Sequence, residues 1–277
     1  MIRRLCLAAA LLLGACAAEM PLSAEDSGET LNLTDRALFT RICRSGAVGP
    51  APLVVINHGS PGDASARAGM RPTPCGNEAV RWFTTRGYLV AIPMRRGYGR
   101  TGGPWEENFG RCDQGNYGPG GLEAARDILA TVRAIQARPD VSPGPSLVVG
   151  QSAGGWGVLA LASLNPPEVG AIINMAGGRG GWQGGVPNQV CRPDQLVRAA
   201  GAYGGTARLP TLWIYAANDS FFNHAMASQL VEAYRGSGGV AEFHAVPAYG
   251  SDGHGLFYGS GGSATWGPLA AAFLVPR

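Results

Sequence analysis

Ser152 stands in the pentapeptide Gly150-Gln151-Ser152-Ala153-Gly154, which follows the apolar run 146–149 and precedes the helix-like run 157–162. Small residues on both sides permit a strained strand-to-helix turn that lifts a serine hydroxyl clear of the backbone, the setting a nucleophile needs. With 43 glycines in the chain, such a pentapeptide arises by chance in roughly one comparable sequence in three, so it needs partners to carry weight. A neutral hydroxyl requires a histidine to take its proton and a carboxylate to fix that histidine and balance its charge. There are four histidines. His254, in Ser251-Asp252-Gly253-His254-Gly255, is the best base, because a loop after the last strand can swing an imidazole over the serine. His244 falls inside a strand pattern and reads as internal and structural. His224 rides on a helix, at the surface or at a pocket rim, and His58 leads into the tight turn Gly59-Ser60-Pro61-Gly62, which presents backbone N–H groups. The acid is expected after a strand lying between serine and histidine in the chain. Asp219 meets this at the end of Trp213-Ile214-Tyr215-Ala216-Ala217-Asn218-Asp219, although it would also serve as a helix cap before Phe221-Phe222. Asp252 competes as the acid, but two residues from His254 its side chain is expected to face solvent.

These groups need a frame. Apolar runs predict strands over 37–44, 53–57, 88–93, 146–150, 171–176, 211–217 and 241–246, with helices over 77–86, 122–137, 153–164, 221–235 and 262–274. Short buried strands separated by amphipathic helices predict a mostly parallel sheet of seven or eight strands with helices on both faces. Ligands of such sheets bind at the carboxyl ends of the strands. Residues 45–52, rich in Gly and Pro, read as a hairpin connection into the next strand. The 34 residues from 177 to 210 suffice for one helix and a flap but not for a cap domain, which predicts a fairly open pocket.

Composition narrows the chemistry further. At 277 residues and 45% hydrophobic content the chain can bury one large α/β core, expected over 31–277. All 22 basic residues are arginine. The absence of lysine excludes Schiff-base and P-loop chemistry and every serine hydrolase whose base is an S-x-x-K lysine. A net charge of only +3, without a basic patch, argues against a nucleic-acid partner. No cluster of His, Cys and carboxylates suggests a metal, no dinucleotide fingerprint follows the first strand, and the serine mechanism calls for no cofactor.

Met1-Ile2-Arg3-Arg4, the apolar stretch 5–13 and the exit Leu13-Gly14-Ala15-Cys16 have the layout of a secretory signal over 1–15, too short to span a bilayer. Leu-Gly-Ala-Cys resembles the bacterial lipobox. That resemblance implies lipidation of Cys16, a flexible tether over 16–30, and a membrane anchor facing the periplasm; ordinary secretion with an incidental Cys16 is the alternative. Export makes disulfides the default for Cys43, Cys75, Cys112 and Cys191. Cys75 and Cys112 follow consecutive parallel strands and are expected at one end of the sheet, which makes them the preferred bridge and leaves the partner of Cys43 open.

Ser152, Asp219 and His254, in that order, together with Asn57-His58-Gly59-Ser60-Pro61-Gly62, resemble the α/β-hydrolase superfamily over nearly all of the expected domain. By that likeness the oxyanion hole is formed by the backbone N–H groups of Ser60 and Ala153, and His58 buttresses the loop rather than acting as base. The stretch Pro93-Met94-Arg95-Arg96-Gly97-Tyr98-Gly99-Arg100-Thr101-Gly102-Gly103 is similar to the R-G-x-G-x-S-x-G loop of dienelactone hydrolase-like and prolyl oligopeptidase-like members. Arg95 and Tyr98 are its candidates for substrate contact; an arginine facing the pocket would favour a carboxylate-bearing substrate, whereas a structural ion pair is the plainer reading. The expected activity is hydrolysis of small carboxylic esters through an acyl-enzyme. A peptidase acting on short peptides, or a non-catalytic binding protein on the same fold, are the alternatives.

Overall fold

The computed structural model describes residues 28–46 and 49–275. The signal segment 1–15, Cys16 and most of the tether lie outside them. Eight strands form one sheet in the order β1-β2-β4-β3-β5-β6-β9-β10. These are β1 (Gly28–Asn32), β2 (Ala37–Cys43), β3 (Leu53–Asn57), β4 (Leu89–Pro93), β5 (Ser146–Gln151), β6 (Val169–Met175), β9 (Thr211–Ala216) and β10 (Ala241–Val246). From β4 to β10 every pairing is parallel, while β1 and β2 add an antiparallel edge. Two short strands, β7 (Trp182–Gln183) and β8 (Val186–Pro187), make a separate hairpin.

Alternation along the buried strands sorts side chains between two cores. Leu53, Val55, Val148, Ile172, Trp213 and Tyr215 face the layer of α2 (Tyr117–Gln136), α3 (Ala153–Leu164), α4 (Pro193–Thr206) and α5 (His224–Gly236). Val54, Ile56, Val149, Ile173, Leu212 and Ile214 face α1 (Glu78–Thr84) and α6 (Ser263–Leu274). With both faces covered, the central strands are mostly apolar, as buried parallel strands are. The helix behind Ser152, α3, is buried on nearly every side, which explains its apolar run from Ala153 to Ala162.

Three features of the elements depart from the sequence expectations. β1 begins in residues read as tether (28–30) and is absent from the expected strands, because a strand with only intermediate and exposed positions has no apolar signature. β2 pairs with β1 and β4, not β3, so residues 45–52 are no hairpin. α2 starts at Tyr117, before the expected 122, because its first turns hold Pro119, Gly120 and Gly121, which read as loop. Pro is tolerated in a first helical turn, and these glycines are needed for contact: a Cβ at Gly121 would lie 2.1 Å from the Tyr203 hydroxyl.

The disulfides differ too. Cys75 bonds Cys43 and Cys112 bonds Cys191, in place of the expected Cys75–Cys112 bridge. Cys43 pairs in register with Val90, near the start of β4. The long loop after β3 runs back along the sheet to meet it, held there by Arg41 Nη1 donating to Pro72 O at 2.7 Å. Because α1 is only seven residues long, the loop rather than the helix makes this descent and carries Cys75 away from the strand ends.

Candidate active site

The turn from β5 into α3 holds Ser152 at φ 54° and ψ −119°, a strained backbone for a residue with a side chain. The flanking glycines make this possible. A Cβ at Gly150 would sit 2.2 Å from Gly154 O, and one at Gly154 would sit 2.4 Å from Asn57 O. Ser152 N donates to Met175 O at 3.0 Å and Ser152 O accepts from Trp156 and Gly178, so the backbone is fixed on both sides. The hydroxyl does not cap its own helix and is left free for chemistry.

The loop after β3 lies against this turn. A Cβ on Gly59 would lie 3.1 Å from Ser152 Cβ and 2.6 Å from Gln151 Oε1, so glycine lets the loop pack closely against this turn. Ser60 follows and, with Ser152 and Ala153, lines a cavity of 330 Å³ at the carboxyl ends of the strands. As the first residue of α3, Ala153 has an N–H with no partner inside its own helix, and the helix dipole adds partial positive charge there. His58 faces away, its Nδ1 on Gly59 O at 2.6 Å and its Nε2 accepting from Arg95 N at 3.2 Å. Burial, reinforced by the Arg95 charge, pushes this imidazole down to about 3, so it stays neutral with both nitrogens occupied.

Asp219 and His254 meet. His254 Nδ1 lies 3.0 Å from both carboxylate oxygens of Asp219, which is fully buried. Asp219 Oδ1 also accepts from Phe221 N at 2.8 Å and Phe222 N at 2.9 Å, so it shapes the turn while holding the imidazole. The helix itself begins later, at His224, behind Asn223 as its cap. Asp252 does not touch the imidazole. Its carboxylate accepts from Ser220 N, Ser220 Oγ and His254 N, pinning the histidine loop to the loop after β9. Gln151 Nε2 donates to His254 O at 3.1 Å and ties the same loop to the residue beside Ser152. Among the described residues no hydrogen bond joins the Ser152 hydroxyl to the imidazole, a gap that hydrolases commonly close only with substrate bound. His224 sits half-buried with Nε2 on Tyr215 O. His244 lies on the edge strand, where its imidazole meets Glu242 and is not internal as its pattern predicted.

Neither Arg95 nor Tyr98 reaches the cavity. Both are fully buried beneath its floor. Arg95 Nη1 donates to His58 O at 2.8 Å and its guanidinium forms an ion pair with Glu107, the plainer of the two readings made from sequence. Tyr98 OH has one proton; given to the Glu107 carboxylate at 3.0 Å, it leaves the oxygen to accept from Ser60 Oγ at 3.0 Å and Trp105 Nε1 at 2.9 Å. Arg179, which sequence reasoning passed over, completes the cluster by pairing with Glu107 and lines the cavity. No local pattern marks Glu107; its role exists only in three dimensions.

The Cys112–Cys191 bridge joins two cavity walls, the loop bearing Asn108 and Phe109 and the loop bearing Arg179 and Trp182. A Cys112→Ser/Cys191→Ser double variant is expected to lose about 2–4 kcal/mol of stability. Its KM is expected to rise several-fold while kcat changes less, because the bridge holds walls and not reacting groups. Urea unfolding and steady-state kinetics check this, and an unchanged KM would detach the bridge from the cavity.

Comparison with solved structures finds the same fold widely. A predicted CIB-like hydrolase from Thermoplasma acidophilum is 18% identical at TM-score 0.57, over 90% of this chain and 97% of that one. Est1E from Butyrivibrio proteoclasticus is 14% identical at TM-score 0.57, over 89% and 95%. The acylaminoacyl peptidase of Pyrococcus horikoshii is 14% identical at TM-score 0.58, over 83% of this chain but only 38% of that one. At such identities the likeness is one of fold. No curated protein gives a significant match. The profile of the dienelactone hydrolase family matches residues 66–263, a stretch that takes in Ser152, Asp219 and His254 and well over half of the sequence, and the chain therefore belongs to the dienelactone hydrolase family.

Proposed function

We propose that the protein is a serine hydrolase of carboxylic esters. The observation that carries this reading is the Asp219–His254 contact, set beside a strained, uncapped serine at a helix N-terminus. With Nδ1–H given to Asp219, Nε2 is the nitrogen left to take the Ser152 proton as the hydroxyl attacks an ester carbonyl. The charge that develops on the carbonyl oxygen is met by the Ser60 and Ala153 N–H groups, each such donor being worth about 3 kcal/mol. The imidazolium formed is balanced by Asp219 and flanked by the Phe221 ring, 4.1 Å away between centroids. His254 then gives its proton to the leaving alcohol, and water, activated by the same imidazole, releases the acid.

Export belongs to this proposal: the lipobox-like Leu13-Gly14-Ala15-Cys16 supports a lipid anchor at Cys16, and two disulfides support an oxidising compartment. A fluorophosphonate probe is expected to label the mature protein and not Ser152→Ala. Short-chain p-nitrophenyl esters are expected to turn over faster than aminoacyl-naphthylamides; dominant amide cleavage would make the protein a peptidase, and absence of Ser152-dependent label would make it a binding protein.

A further inference from the structure

We infer that the substrate of this site carries an aryl group, held between aromatic walls on either side of Ser152; the inference rests on the hydrolase reading above. In sheet order, β5 and its serine lie between β4-β3 on one side and β6-β9 on the other. Each side sends a partly exposed indole into the same cavity: Trp105 from the loop after β4, and Trp182 from the loop after β6. Both rings are fixed. Trp105 Nε1 donates to Tyr98 OH at 2.9 Å, and the Arg67 guanidinium covers one face at 3.9 Å. Trp182 Nε1 donates to Ser220 O at 2.8 Å, and its ring stacks on Phe221 at 5.3 Å.

Phe221 in turn stacks on His254, so three rings run in series from the imidazole to the cavity mouth. The outermost, Trp182, is 42% exposed on a hairpin of two-residue strands, so a large part of an aromatic side chain faces the cavity rather than the core. Its position is nonetheless specified. A Cβ at Gly181 would lie 2.7 Å from Phe221 O and one at Gly178 would lie 2.5 Å from the Phe222 ring, so the glycines bring the Trp182 segment onto these aromatics. Rigid rings whose polar N–H groups are already satisfied offer flat π-faces, and flat faces favour an aromatic guest over an aliphatic one of equal bulk. The cavity, at 330 Å³, is of a size to take a ring with a short linker.

The test uses matched pairs that differ only in aromaticity. Methyl 3-phenylpropanoate against methyl 3-cyclohexylpropanoate places the ring on the acyl side; 2-phenylethyl acetate against 2-cyclohexylethyl acetate places it on the alcohol side. The aryl member is expected to have a kcat/KM about threefold to tenfold higher in one of the two arms. That ratio is expected to fall toward one in Trp182→Leu or Trp105→Leu, and being a ratio it is insensitive to general loss of active protein. Equal turnover in both arms, or a preference that survives both replacements, overturns the inference. Fluorophosphonate labelling of Ser152 separates the two levels. Label and ester turnover without aryl preference sinks only the ring. Should hydrolysis itself be absent, tighter binding of 3-phenylpropanamide than of 3-cyclohexylpropanamide to the Ser152→Ala variant still supports the aryl site, and equal binding removes it.

Discussion

Ser152→Ala is expected to lower kcat for ester hydrolysis by about 10⁶-fold while leaving the urea unfolding midpoint unchanged. The midpoint holds because alanine inherits the same backbone strain at φ 54° and the serine hydroxyl makes no capping bond to its helix. The rate falls because attack, proton transfer and acyl transfer all pass through one oxygen. A Ser152→Ala/His254→Ala double variant should then cost no more than either single change, since groups acting as a unit are not additive. Asp219→Asn separates orientation from presence. An amide can still accept from Phe221 N and Phe222 N, so the turn survives, but its N–H₂ faces Nδ1 and forces the proton onto Nε2. That tautomer cannot take a proton from serine, and a loss of about 10⁴-fold is expected. Asp252→Asn, which touches the histidine loop only through backbone and Ser220, should cost far less. Comparable losses for the two aspartates would transfer the role from Asp219 to a shared loop effect.

Strands and the candidate site residues were legible in the chain for one reason: both depend on local pattern. Buried parallel strands must be apolar on both faces, so β3, β5 and β9 announce themselves, and a serine between Gly150 and Gly154 implies a close approach that the coordinates show as backbone contacts. What local pattern could not carry was anything decided by partners far along the chain. β1 is a strand because β2 offers an edge, not because Gly28–Asn32 is apolar. Cys75 finds Cys43 because a loop runs back along the sheet, which spacing alone does not encode. Arg95 sits in a loop whose glycines and arginines favour a structural pair but leave a substrate contact open, and only Glu107, twelve residues on and without a signature of its own, decides between them.

Glu107→Gln is accordingly expected to have the largest effect on stability, about 3–5 kcal/mol, by leaving two buried guanidinium groups without a counter-charge. Burial alone would raise the Glu107 carboxyl, but the charges of Arg95 and Arg179 and the hydrogen bond from Arg95 outweigh it and hold the group down from its ordinary 4.5 to about 2. A carboxyl depressed on folding stabilises the native state at pH above its unfolded value and loses that contribution as pH falls through the folded one. The wild-type urea midpoint should therefore drop between pH 4.5 and about 2, and Glu107→Gln should lack that part of the acid limb. Replacing Arg179 with methionine in the same chain removes one stranded charge and should restore part of the loss, whereas a neutral effect of Glu107→Gln at pH 7 would mean that water, not the carboxylate, balances the arginines. The consequence reaches the chemistry through Tyr98, which links Glu107 to Ser60 Oγ, and through Arg179 in the cavity wall. A loosened Ser60 loop weakens one donor to the developing oxyanion, so kcat of Glu107→Gln should fall further than its folded fraction accounts for, and rescue by Arg179→Met should return stability without returning rate.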